Sequence, residues 1–235
     1  MPEVRDTLRS ARTLGSATLL CAALTVLSAP WALDLPPLAW ICKPLTTLLV
    51  IVFAALRGLD APPPRRWVLA GLGCSLAGDI FLLWPQQGFL PGLVSFLLAH
   101  LAYLMAFTRV RPLAARPWAF VVYALVAAAI LWRLWPGVPG ALRVPVLAYV
   151  ACLGAMAAQA AVLWRSGVPR GAVLALGGAL FLCSDALLAF NKFAQPLPLA
   201  SLWVLGSYWA AQWCIASWLA PAAGGEALKA GAGAG

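Results

Sequence analysis

Hydrophobic residues in this chain gather into eight long stretches, approximately Leu14 to Leu33, Leu38 to Leu56, Trp67 to Trp84, Leu90 to Phe107, Trp118 to Trp135, Val144 to Trp164, Gly171 to Phe190 and Leu199 to Leu219. Most run about 18 to 21 residues, enough to cross a hydrocarbon core of about 30 Å at about 1.5 Å per residue. Pro, Gly and Arg fill the gaps, as in Asp60-Ala-Pro-Pro-Pro-Arg-Arg66, and Trp clusters near the ends, where amphipathic rings favour the headgroup layer. The pattern predicts an all-α polytopic membrane protein: a segment over 1–13, one eight-helix transmembrane domain over 14–219, and an Ala- and Gly-rich flexible tail over 220–235.

Composition agrees, since 63% of the residues are hydrophobic and 10% charged, with a mean hydropathy of +0.91, far above an average soluble domain. A net charge of +9 raises the question of nucleic acid, but the basic residues fall in alternate loops. Arg5, Arg9 and Arg12, then Arg57, Arg65 and Arg66, then Arg109, Arg111 and Arg116, then Arg165 and Arg170, and finally Lys229 share one side. The other side has Arg133, Arg143 and Lys192, with Lys43 inside a helix. The positive-inside rule puts both termini in the cytoplasm and leaves no nucleic-acid surface. A basic start before an apolar run also fits a signal peptide cut near Ala29, but this run is longer than a usual signal core.

Six cysteines scattered over six stretches read as small buried hydrophobes, and a single histidine excludes a multi-histidine zinc centre. Gly73-Cys-Ser-Leu-Ala77 brushes against the serine-hydrolase elbow but lacks its final Gly and its strand-turn-helix setting.

Two aspartates, Asp79 and Asp185, lie inside apolar runs. A charge at mid-helix costs on the order of 2.5 to 3.5 kcal/mol on insertion scales, so such a group faces a protein interior or a polar cavity. Both aspartates come five residues before the outer end of an outward-going helix, and Lys43 five residues into an inward-going one. All three therefore fall in one layer, roughly 7 to 8 Å beneath the non-cytoplasmic interface, with His100 deeper. Mutual pairing around one cavity avoids burying each alone.

Helical spacing supports convergence. Phe96, His100, Tyr103 and Phe107 share one face, Ser201, Leu205, Tyr208 and Gln212 another, and Gly71, Ser75 and Gly78 form a small-residue stripe beside Asp79 that lets a neighbouring backbone approach closely. Gly78-Asp-Ile-Phe-Leu-Leu83 and Ser184-Asp-Ala-Leu-Leu188 resemble each other and hint at a four-plus-four parallel repeat. Each polar residue also has a plainer reading. Lys43 snorkels, His100 is a neutral core histidine, Tyr103, Tyr208 and Gln212 are interhelical glue, and Asn191 and Lys192 are helix-end polar groups.

At these positions the chain resembles the lysoplasmalogenase, or YhhN-like, family of integral membrane proteins. The resemblance rests on Lys43-Pro-Leu-Thr-Thr47, Gly78-Asp-Ile-Phe-Leu-Leu83, Phe89-Leu-Pro-Gly92, the Phe96 to Phe107 segment, Ser184-Asp-Ala-Leu-Leu-Ala-Phe-Asn-Lys-Phe193 and Tyr208-Trp-Ala-Ala-Gln212. It implies an eight-helix enzyme that hydrolyses the vinyl ether bond of lysoplasmalogens, releasing a fatty aldehyde and glycerophosphoethanolamine or glycerophosphocholine. Its partner is a lysophospholipid drawn sideways from the bilayer, and neither metal nor organic cofactor is implied. The membrane is the bacterial inner membrane or, in a eukaryote, the endoplasmic reticulum.

That chemistry needs an acid to protonate the alkene carbon and a base to activate water. Asp79 and Asp185 are the expected catalytic pair, by analogy with the two carboxylates of glycoside hydrolysis; which is the acid stays open. Lys43 is expected to hold a carboxylate ionised or meet the phosphate, His100, Tyr103, Tyr208 and Gln212 to orient water or glycerol, and Asn191 and Lys192 to meet the headgroup. The alternatives are a proton-coupled small-molecule or lipid transporter, which also uses membrane-embedded Asp, Lys and His, and a non-catalytic lipid-binding protein.

Overall fold

A computed structural model describes residues 2–84 and 86–221, with side chains from Arg12 onward. Eight α-helices follow in order: α1 (Pro2–Leu27), α2 (Pro36–Ala55), α3 (Pro62–Phe81), α4 (Phe89–Thr108), α5 (Pro117–Leu134), α6 (Arg143–Arg165), α7 (Gly171–Phe193) and α8 (Ala200–Trp218). There is no strand among the described residues. Two short 3₁₀ turns, Trp135–Gly137 and Gly140–Leu142, join α5 to α6.

Proline starts four of these helices, α1, α2, α3 and α5, where its missing N–H is one of the donors a helix leaves unpaired anyway. Gly167, at φ +71°, ends α6, and the Val168 N–H returns to the Leu163 carbonyl at 3.1 Å. Helix α1 begins at Pro2, before its apolar run, and ends at Leu27, short of the expected Leu33; residues 28–33 form turns. Of the expected tail, all but Ala220 and Pro221 lies outside the described residues. Those two are tied back, the Ala220 carbonyl accepting from Gly58 and Pro221 bridging to Arg57.

Five helical segments are long and apolar enough to cross a membrane: Pro36–Ala55, Phe89–Thr108, Pro117–Gly137, Gly140–Arg165 and Gly171–Phe193. The apolar part of α1, Arg12–Leu27, is shorter. Helices α3 and α8 have 20 and 19 residues, but paired arginines and Asp79 in the first, and Ser, Tyr and Gln in the second, dilute their hydropathy. The chain is a multi-pass membrane protein.

Helices α2, α3, α4, α6, α7 and α8 pack in that order and close into a ring where α8 returns to α2. Helix α1 covers the α2 and α8 side, and α5 lies outside against α6 with a few contacts to α7. Glycines let the ring close tightly. A methyl group on Gly178 would stand 3.1 Å from the Cα of Ala157 on α6, and one on Gly177 the same distance from the Ala211 carbonyl oxygen on α8.

Arginines bind the end of the bundle where α2 and α8 finish. Arg57 Nε donates to the Leu219 carbonyl at 2.9 Å and Arg170 Nη1 to the Ser217 carbonyl at 3.0 Å, while Arg65 Nη2 donates to Ala55 at 2.7 Å. These guanidinium groups satisfy terminal carbonyls of α8 and α2 and lie at the negative ends of their dipoles. Burial, and then the neighbouring Arg170, push the Arg57 guanidinium below its ordinary value.

Candidate functional site

Asp79 lies in the last turn of α3, where the Gly71, Ser75 and Gly78 stripe turns toward α4. The stripe receives aromatic rings. A methyl group on Gly78 would come within 2.5 Å of the Phe96 ring, and one on Gly71 within 2.4 Å of Tyr103. The spacing predicts a backbone in close approach; instead aromatic side chains of α4 fill the stripe.

Asp79 is 1% exposed and well partnered. Its Oδ2 accepts hydrogen bonds from Thr47 Oγ1 at 2.6 Å and Tyr208 OH at 2.8 Å. Lys43 Nζ stands 3.7 Å from Oδ1 and donates to the Asp79 backbone carbonyl at 3.2 Å. Thr47 in turn accepts from Trp209 Nε1 at 3.2 Å. A buried carboxylate needs this many donors, and a cation beside it offsets its lost hydration.

Asp185, on α7, has a barer setting. Its Oδ2 accepts from Tyr149 OH of α6, and His100 Nε2 lies 3.9 Å away, beyond hydrogen-bond reach. Neither His100 nitrogen has a hydrogen-bond partner; the ring is fully buried, edge-on to Tyr149 at 5.2 Å and Phe181 at 4.6 Å. Phe181 also meets Tyr208 edge-on at 5.5 Å, so an aromatic wall links the surroundings of the two aspartates.

Both carboxylates line one cavity of about 1060 Å³ at the end of the bundle where α3 and α7 finish and α2, α4 and α8 begin. Lys43, Asn191, Lys192 and Tyr208 line it as well. Asn191 Oδ1 accepts from the Leu197 N–H at 2.9 Å and so shapes the α7–α8 connection, and Lys192 Nζ stands 4.9 Å over the Phe89 ring. Across this region Trp31 Nε1 donates to Ser201 Oγ at 2.8 Å, tying the α1–α2 turn to α8.

Tyr103 and Gln212 do not line the cavity. They are fully buried and bonded to each other, Tyr103 OH donating to Gln212 Oε1 at 2.6 Å, with Ser75 Oγ 3.4 Å from the same hydroxyl. His100 is likewise absent from the lining and reaches the site only through Asp185.

Thr47 and Tyr149 escape the sequence reading although each touches an aspartate. Thr47 follows Lys43 by one helical turn and so shares its face. Tyr149 precedes Asp185 by 36 residues, the separation of Lys43 from Asp79, and that shared spacing is the signal that could have found it.

A family model described as the YhhN family matches residues 38–219. Among curated relatives, lysoplasmalogenase TMEM86B of Sus scrofa is 40% identical over 195 residues, covering 77% of this chain and 76% of the relative. Lysoplasmalogenase TMEM86A of Homo sapiens is 36% identical over 181 residues, 74% of either chain. A lysoplasmalogenase of Mycobacterium tuberculosis (strain CDC 1551 / Oshkosh) is 28% identical over 159 residues, 63% of this chain and 58% of the relative. No solved structure matches. The chain belongs to the YhhN family.

Proposed function

We propose that this protein is a membrane-embedded hydrolase that cleaves the vinyl ether bond of lysoplasmalogens, with Asp185 as proton donor and Asp79 as base. Support for the substrate comes from relatives that carry the name lysoplasmalogenase. The roles rest on one observation: Asp79 is matched to a cation and two hydroxyl donors, whereas Asp185 has a single neutral hydroxyl partner. A carboxylate surrounded by donors keeps its negative charge; one facing apolar walls holds its proton and can give it up.

The Asp185 proton passes to the alkene carbon one removed from the ether oxygen, leaving an oxocarbenium ion. Water, losing a proton to Asp79, adds to the carbon bearing the oxygen and forms a hemiacetal. That hemiacetal collapses to a fatty aldehyde as the glycerol oxygen takes its hydroxyl proton, and the proton held by Asp79 returns to Asp185 through water in the cavity. Lys43 keeps Asp79 ionised, Tyr208 and Thr47 aim its Oδ2, and Lys192 with Asn191 meets the phosphate headgroup. His100 flanks Asp185; Tyr103 and Gln212 act from beneath by holding α3, α4 and α8 in register.

We further read all eight helices as crossing the membrane with both termini in the cytoplasm, since α3 and α8 are integral to the ring formed by apolar neighbours. A four-plus-four duplication accounts for α1 and α5 both lying outside that ring and for aspartates on the third helix of each half.

The deciding experiment measures aldehyde release from a synthetic lysoplasmalogen by purified protein in detergent. Wild type releases aldehyde, while Asp79→Asn and Asp185→Asn, still folded, do not. Lipid movement across vesicles without bond cleavage would replace the enzyme by a carrier.

A further inference from the structure

Asp185 belongs to two cavities of different character. Besides the wide one that holds both aspartates, a slot of about 80 Å³ lies among α4, α5, α6 and α7. The two share Leu82, Phe89, Phe96, Asp185 and Leu188, so they adjoin at the carboxyl group. Apart from Asp185 and Tyr149, every side chain on the slot is apolar.

Helix α5 supplies the outer wall. Its slot-lining residues Ala127, Ile130, Leu131 and Leu134 recur at i, i+3, i+4 and i+7, which is one helical face. A helix outside a ring ordinarily spends its inward face on close packing, yet this face covers a slot that a carboxyl group also lines. Cations line only the wide cavity, through Lys43 and Lys192. An apolar slot and a charged chamber meeting at one proton donor match an amphiphile with one tail and an anionic head.

We propose that the slot binds the aliphatic chain of the substrate lysolipid, its headgroup lying in the wide cavity, and that slot depth sets chain selectivity. Resting on the hydrolase reading above, this places the first carbons of the chain, and with them the alkene, against Asp185. The α5 face is then a specificity-determining surface.

Two measurements test it. Full-length protein in detergent is irradiated with a non-cleavable alkyl ether lysophosphatidylethanolamine bearing a diazirine in mid-chain, and labelled peptides are mapped by mass spectrometry. Label on the α5 and α6 segments around Leu131 and Val150 is expected; label confined to α1, α2 and α8 overturns the proposal. Because no bond is cut, this outcome stands whether or not the protein is a hydrolase.

The second compares Leu131→Trp, which fills the slot, with Leu131→Ala, which enlarges it, on alkenyl lysolipids of graded chain length. For the longest chains Leu131→Trp lowers kcat/KM about tenfold or more while the shortest stay within about twofold, and Leu131→Ala shifts preference to longer chains. Equal loss at every length by a folded Leu131→Trp protein would refute chain binding here. Wild type releasing no aldehyde at any length would instead sink the hydrolase reading, with the labelling still deciding the slot.

Discussion

Lys43 and Tyr149 each stand 36 residues before the aspartate they contact, and the two contacts differ in charge. A lysine on α2 meets Asp79 and a tyrosine on α6 meets Asp185, so the same spacing gives one carboxyl group a cation and the other a neutral hydroxyl. On the proposed reading, that difference gives the acid part to Asp185 and the base part to Asp79.

Exchanging the partners therefore impairs both roles. Lys43→Met leaves Asp79 buried without its cation, and Tyr149→Lys gives Asp185 one that holds it ionised; each is expected to lower kcat about 10²- to 10⁴-fold, the usual span of acid or base catalysis. Aldehyde release under saturating substrate checks this. Tyr149→Phe, which removes only the hydroxyl, should lose far less than Tyr149→Lys. Equal losses would show that charge at this position is immaterial.

Tyr208→Phe and Thr47→Val each strip one donor from Asp79 Oδ2 without disturbing Lys43. A hydrogen bond to a charged group is worth about 1.5 to 3 kcal/mol, so each variant should lose about tenfold or more in kcat/KM, and the double variant more than either. Steady-state kinetics of the three proteins, each confirmed as a monodisperse species, gives the comparison.

Gly78→Ala and Gly73→Ala form a matched pair on α3. The methyl at 78 would meet the Phe96 ring at 2.5 Å, whereas nothing lies within 4 Å of one at 73. Overpacking at 78 should cost about 1 to 3 kcal/mol and displace Phe96 from the cavity wall. At 73 the change should be neutral or stabilising by up to about 1 kcal/mol, because alanine favours the helix. Thermal melting in detergent distinguishes them, and only Gly78→Ala should lose activity.

Arg57→Ala removes one of the two guanidinium groups, the other being that of Arg170, that satisfy the Ser217 and Leu219 carbonyls at the end of α8. Destabilisation of about 1 to 3 kcal/mol is expected, with KM unchanged in the fraction that stays folded, since the arginine lies at the end of the bundle away from the aspartates. A melting curve alongside substrate titration tests both halves of that statement.

The hydrophobic pattern by itself determined where the helices lie, because a chain in lipid must satisfy its backbone within each segment and long apolar runs leave no other structure. It also singled out Asp79, Asp185, Lys43, His100, Tyr103, Tyr208 and Gln212, since ionisable or polar groups in such runs conspicuously break the pattern. Helix order around the ring is different: apolar faces are interchangeable in sequence, and only packing settled that α4 sits beside α6 and leaves α5 outside. Tertiary structure likewise decided that Tyr103 and Gln212 bond to each other beneath the cavity, that Thr47 and Tyr149 touch the carboxyl groups, and that one aspartate is partnered by charge and the other is not. Those distinctions depend on which side chains come within about 3 Å across helices, a distance that periodicity along a single helix does not encode.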